Sequence, residues 1–173
     1  MSGWLQSGNG SRVSKLASIL NSKSVVIAGN ITINPHVSLH GDVAMADTDA
    51  HAITIGKYSY IDSNAVIRPP VAKNDLCVPM SIGAYCIIGK NSVINLLAIG
   101  NRVIVEDDCH LQNLSVVYDC CLIRKNTIVP PKMVIPPYSE VSGVPGVDFK
   151  IEQLNPRYKK LIELEAKQLN VLG

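Results

Sequence analysis

The sequence predicts a mainly β chain: a parallel β-helix of about six triangular coils, followed by a C-terminal α-helix. Two observations predict it. An aliphatic residue recurs every six positions, as Ile82, Ile88, Ile94, then Ile99 after one five-residue step, and on through Val105, Leu111, Val117, Ile123, Val129, Ile135 and Val141. Four residues after each of these comes a small or modest side chain, among them Ser59, Ala65, Cys86, Ser92, Ala98, Val103, Cys109, Ser115, Cys121, Thr127 and Ser139. Neither a helical period of about 3.6 nor a strand period of 2 gives a repeat of six. A short strand and a bend do, and three such units close a coil of about eighteen residues.

The coils are expected over residues 25–146, after an irregular or capping segment at 1–24. The beat is read upstream at Val25, Ile31, Val37 and Val43, and again at Ile55, Ile61 and Ile67. Stacking across the five-residue step predicts three columns: Ile82, Ile99, Val117 and Ile135; Ile88, Val105, Ile123 and Val141; Ile94, Leu111 and Val129. The small position lies near a corner of the triangle, where space limits size; Met133 is the exception, flexible enough for an irregular gap. Gly56, Gly83, Gly89 and Gly100 follow column residues and are assigned to tight bends. Within 1–24, Val13, Leu16, Ile19 and Leu20 fit either a short helix or a first irregular coil.

Two segments interrupt the beat, at 44–52 (AMADTDAHA) and 69–81 (PPVAKNDLCVPMS). Both are expected to leave one corner of the prism, as binding loops or as tolerated surface insertions. The coils end at Ser142-Gly-Val-Pro-Gly146. Residues 147–173 are read as a linker and an amphipathic helix starting after Pro156, with Tyr158, Leu161, Ile162, Leu164, Leu169 and Val171 among charges. That helix is expected to pack along a prism face, with a partner-facing role as the alternative.

Composition narrows the class. The chain has 173 residues, a net charge of +2 and only 5% aromatic residues. The charge is too small to argue for nucleic acid or lipid, and no apolar run approaches the roughly 20 residues of a membrane span. The first ten residues lack the basic and apolar regions of a signal peptide, so a cytosolic protein is expected. Three of the five cysteines, Cys86, Cys109 and Cys121, fall at the small interior position; the others are Cys77 and Cys120. Cys86 and Cys121 share a column two coils apart, roughly 9–10 Å, beyond the ~7 Å reach of a disulfide. Reduced structural thiols are expected.

Gly41-Asp-Val43, Ile55-Gly56, Ile82-Gly83 and Ser142-Gly-Val-Pro145 resemble landmarks of the γ-class carbonic anhydrases, whose zinc is held by three histidines. Matched motif by motif, the histidine positions carry Arg68, Lys90 and Asn95. Two of the three are cations, where zinc needs neutral imidazole, thiolate or carboxylate, so no metal and no cofactor are expected. The remaining enzymatic alternative is a hexapeptide acyltransferase with one histidine as general base. His110 is the histidine well inside the repeat, with Glu106, Asp107 and Asp108 nearby; His36, His40 and His51 are read as solvent-facing.

A narrower series is present. Ser7-Gly-Asn9, Val13-Ser14, Ile33 and Gly41-Asp42 are followed by Ala65-Val-Ile-Arg-Pro-Pro70, Asp119-Cys-Cys121, Asn126-Thr-Ile-Val-Pro-Pro131, Val134-Ile-Pro-Pro137 and Ser142-Gly-Val-Pro-Gly146. This series is similar to the dynactin subunit 5 family over residues 7–146; the acidic insertion at 44–52 departs from it, and the C-terminal helix is not matched. The resemblance implies a left-handed coil and a non-catalytic pointed-end subunit. It implies association with a companion β-helix subunit, the pointed-end actin-related protein and the neighbouring dynactin subunit, and through them with dynein and membrane cargo. It also implies a cytoplasmic, cytoskeleton-associated location, without nucleic acid or membrane insertion. Exposed partner-contact candidates are Val71, Met80, Tyr138 and Val144, and either the end formed by the first coils or the prism's side is expected to be covered by a partner.

Overall fold

A computed structural model describes residues 3–172 as a left-handed parallel β-helix with three faces. Followed along the chain, the first face carries Arg12–Ser14, Thr32–Ile33, Tyr60–Ile61, Ile87–Ile88, Ile104–Val105, Leu122–Ile123 and Ser139–Ser142. The second carries Ser18–Leu20, Ser38–His40, Val66–Ile67, Val93–Ile94, His110–Leu111 and Ile128–Val129. The third carries Val25–Ile27, Ile53–Ile55, Met80–Ile82, Ala98–Ile99, Val116–Val117 and Val134–Ile135. One helix, Tyr158–Leu172, follows.

The three columns stand in register as the beat predicts, and each runs further upstream. Ile27 and Ile55 precede Ile82; Val13, Ile33 and Ile61 precede Ile88; Ile19, Leu39 and Ile67 precede Ile94. From Ile33 onward these side chains are sealed in the core, each burial stabilising by about 1.5–3 kcal/mol.

The upstream phase differs from expectation by two residues. Val25 stands beside Ile53 and Met80, while Ile31 and Val37 are fully buried one residue before Thr32 and Ser38. They therefore occupy the second interior position. Early coils place aliphatics at both interior positions, so alternation alone leaves the hexad phase open. Ala98 also moves: it pairs with Ser81 and Val116 on the outward side, and the five-residue step is filled by buried Leu96.

The bends are made differently from the expected glycines. The residue three past most column positions has positive φ, including Asn30, Tyr58, Asn64, Tyr85, Asn91, Asp108 and Asn126. Asn and Asp tolerate this left-handed conformation. Gly56, Gly83, Gly89 and Gly100 lack positive φ. They are needed because a Cβ on Gly83 would sit 2.5 Å from the Gly100 carbonyl oxygen, and one on Gly89 2.5 Å from the Glu106 carbon.

The coils also begin before residue 25, since Arg12–Ser14 and Ser18–Leu20 pair in parallel with the next coil. At the N-terminal end Trp4–Gln6 pairs antiparallel with Arg12–Ser14. At the other end Lys150–Gln153, within the expected linker, pairs antiparallel with Ser139–Ser142. Both ends of the first face are thus capped by the chain itself, so on that face the first-coil edge needs no partner, and of the two expected places the prism's side remains. Among the described residues, no helix is long and apolar enough to cross a membrane.

Candidate partner-docking faces

The positions examined for zinc ligands have structural work to do. Arg68 and Asn95 follow the paired Ile67 and Ile94 at one corner. The Asn95 side-chain amide donates to the carbonyl oxygens of Arg68 (2.9 Å) and Pro69 (3.1 Å), clamping the root of the 69–81 loop. One coil on, Asn113 exchanges two hydrogen bonds with the Val71 backbone, at 2.7 and 2.9 Å. Lys90 sits at the opposite end of the Val93–Ile94 strand, where its N–H donates to the Asp107 carboxylate at 2.8 Å. Among the described residues, no group of three or more His, Cys, Asp or Glu side chains converges as a metal-ligand set.

Both insertions leave the same corner, between the second and third faces, and they pair there. Met45 bridges Cys77 in parallel and Val71 bridges it antiparallel. The Cys77 N–H donates to Ala44 O at 2.8 Å, and the Ala46 N–H donates to Cys77 O at 2.9 Å. The insertions form one folded flap.

His110 is exposed on the second face and borders a depression of about 380 Å³ with Val93, Asn95, Leu111, Gln112, Asn113 and Pro131. That lining contains no carboxylate to orient an imidazole. Glu106 instead accepts from the Lys125 N–H at 3.0 Å, and Asp107 is held by Lys90 as above.

All five cysteines are free and buried. Each of the three interior thiols donates to a corner carbonyl of the next coil: Cys86 to Gly100 O (3.1 Å), Cys109 to Arg124 O (3.0 Å) and Cys121 to Pro136 O (3.2 Å). Burial pushes Cys86 up to about 12 and Cys109 and Cys121 up to about 11. Ser59 and Ser92 make the same tie to Gly83 O and Glu106 O. The small interior position is therefore a hydrogen-bonding position as well as a tight one. Cys120 is also buried, and its thiol beside the Tyr138 phenol raises that phenol's pKa.

Of the four partner-contact candidates, Met80 is corrected: at 1% exposure it is core, because it occupies the interior position beside Ile53. Val71, Tyr138 and Val144 are half-buried. Val71 is held by Asn113, and Val144 is held by a hydrogen bond from its N–H to the Asp148 carboxylate at 2.8 Å.

The three outer surfaces differ. On the first face the outward residues Tyr60, Ile87 and Ile104 are apolar, and the helix lies over them. Ala166 packs there with Tyr85 and Leu169, and Tyr58 stacks on Tyr85 with ring centroids 5.4 Å apart. Arg102 Nε donates to Glu163 at 2.8 Å. Asn170 accepts from the Thr32 hydroxyl at 2.7 Å and donates to Tyr58 O at 3.1 Å. The stripe that meets the prism is half-buried Tyr158 and buried Ile162, Ala166 and Asn170, and it is hard to see in the sequence because its last two members are small and polar. The i, i+4 spacing alone was the available signal.

Among the described residues, no helix covers the other two faces. The outward ladder of the third is Val26, Thr54, Ser81, Ala98, Val116 and Val134. That of the second is Ser18, Ser38, Val66, Val93, His110 and Ile128. Neither ladder contains Asp, Glu, Lys or Arg. Solvated sheet surfaces commonly carry such charges, which discourage association.

The family described as "Dynactin subunit 5" matches residues 1–165. A curated relative, "Dynactin subunit 5" of Dictyostelium discoideum, is 34% identical over 101 residues, covering 57% of this chain and 48% of that protein. The chain thus aligns with about half the length of that relative. Among solved structures, a hexapeptide transferase family protein from Anaplasma phagocytophilum superposes with TM-score 0.61 at 17% identity, covering 92% of this chain and 89% of the other. A UDP-N-acetylglucosamine acyltransferase from Bacteroides fragilis superposes with TM-score 0.59 at 16% identity, covering 94% and 71%. At these identities the structural likeness speaks for the coil alone.

Proposed function

We propose, from the premise that the chain belongs to the dynactin subunit 5 family, that it is a non-catalytic scaffold and adaptor subunit of the dynactin pointed-end complex. It supports dynein-driven transport and cargo attachment by holding other subunits against a rigid prism. The observation that carries this reading is the pair of bare faces, whose outward ladders run six strands without a charged side chain. A flat, uncharged β surface suits burial against a second flat surface, and the interior cores of interfaces are depleted in charge.

A companion β-helix subunit fits the third face. The pointed-end actin-related protein and the neighbouring dynactin subunit take the remaining surfaces, with Val71, Tyr138 and Val144 at their margins. The location is cytoplasmic and cytoskeleton-associated. No metal or cofactor is assigned: Arg68, Lys90 and Asn95 serve the loop and the coil, and the residues around His110 supply no acid–base pair. Co-expression with the other pointed-end subunits, followed by sizing, tests the reading. Recovery in one heteromeric peak supports it; a homotrimer that consumes acyl-CoA would overturn it.

A further inference from the structure

The C-terminal helix has two sides, and the prism uses one. Ile162, Ala166 and Asn170 are buried on it. About 180° round the helix, Leu161, Leu164 and Val171 are 52%, 51% and 74% exposed. Lys160 and Gln168 share that outer arc, which contains no carboxylate. Glu163 is turned to Arg102 and Lys167, at 2.8 and 3.3 Å, and Glu165 lines a depression beside Tyr60 and Leu169.

The start of the helix is strongly basic. Arg102, Arg157, Lys159 and Lys160 surround a depression of about 400 Å³ with Pro156 and Glu163. Glu163 is already paired, and Arg157, Lys159 and Lys160 form no ion pair with a described residue. The first turn has no acidic residue. Cations at the positive end of a helix dipole are unfavourable, so this end is arranged against its own stability and in favour of an anionic neighbour.

We infer that the outer side of this helix docks an acidic amphipathic segment of a partner protein, with aliphatic side chains on Leu161 and Leu164 and carboxylates on Arg157 and Lys160. Charge selects the occupant. A second copy brings the same unpaired cations and no free carboxylate on this side. A membrane would meet three aliphatic side chains and no aromatic anchor, less than interfacial helices insert. The inference stands independently of the complex-level assignment above.

The test uses the full chain and two synthetic amphipathic peptides of about 18 residues, one with Leu on one face and Glu elsewhere, the other with Lys replacing Glu. Anisotropy should show binding of the Glu peptide only, weakening as salt rises. Leu161→Ser/Leu164→Ser and Arg157→Ser/Lys160→Ser should each weaken it about tenfold, with neither lowering thermal stability, since these side chains are exposed and removing the two cations relieves the helix dipole. Equal binding of both peptides, or no binding of the Glu peptide, overturns the inference. So does co-sedimentation with phosphatidylserine vesicles that the Glu peptide does not displace, or a dimer in ultracentrifugation that Leu164→Ser dissolves.

Discussion

The covered first face and the bare third face are made from the same repeat and have opposite solutions to the same problem. Both present apolar side chains on their outward ladders. On the first, Tyr60, Ile87 and Ile104 lie under the chain's own helix, which is pinned by Arg102–Glu163 and by Asn170. On the third, Val26 and Val134 remain 38% and 56% exposed. The first face is completed within one molecule; under the proposed scaffold role the third is completed by another. The difference teaches that the coil alone does not specify function, and that the covering of each face does.

The largest effect is expected from breaking the covered face. Ala166→Glu places an unpaired carboxylate at a fully buried site and should cost about 2–4 kcal/mol, read by urea unfolding. Gln168→Glu, on the exposed side of the same helix, should change stability by less than about 0.5 kcal/mol. Similar losses for both variants would mean that the helix is not docked.

Asn170→Ala comes next. It strips the acceptor from the Thr32 hydroxyl, whose oxygen keeps only the Arg12 guanidinium as donor at 3.3 Å, and one donor from Tyr58 O, an expected loss of about 1–3 kcal/mol. Thr32→Val in the same background should recover part of it, because the orphaned hydroxyl is then gone.

The core beneath both faces is checked with a thiol reagent. With pKa values near 12 for Cys86 and near 11 for Cys109 and Cys121, these thiols are protonated at neutral pH. Native protein at pH 8 should leave them unlabelled, and labelling should follow unfolding. Rapid native labelling at any of the three would mean an open coil.

The smallest effect is acid sensitivity of the helix clamp. The hydrogen bonds from Arg102 and then Lys167 hold the Glu163 carboxyl below its usual range. A lowered folded-state pKa adds stability that is fully present above the unfolded value and is lost as pH falls through the folded one. Arg102→Ala should therefore flatten the acid limb of the stability profile below about pH 4.5 and leave neutral-pH spectra unchanged. An unaltered acid limb would place the clamp elsewhere.

Much of this was legible in the sequence. From Ile82 to Val141 one interior position is large and the other small, so phase and column are fixed, and the register matches strand by strand. Upstream, Ile31 and Val37 compete with Ile33 and Leu39 for the same role, and the phase slipped by two. Met80 looked like a loop residue because it falls in the 69–81 segment that delays the beat between Ile67 and Ile82, yet strand pairing with Ile53 draws it inside. The bare faces were hidden for another reason. An outward ladder is assembled from residues about eighteen apart, so the missing charge shows only after coils are stacked. The Asn95 and Asn113 clamps depend on where the 69–81 loop folds back, which no local pattern encodes.

The central claim, that the third face is completed by another subunit, is tested most directly by Val116→Lys. This residue is half-buried on the outward ladder beside Ala98 and Val134, so a lysine there can reach solvent and leave the coil folded. Purified wild type and variant are each mixed with the companion β-helix subunit and sized. The account predicts a stable heteromer for wild type and separate peaks for the variant, with matching thermal unfolding of the two chains alone. An undiminished heteromer with the lysine in place would contradict it.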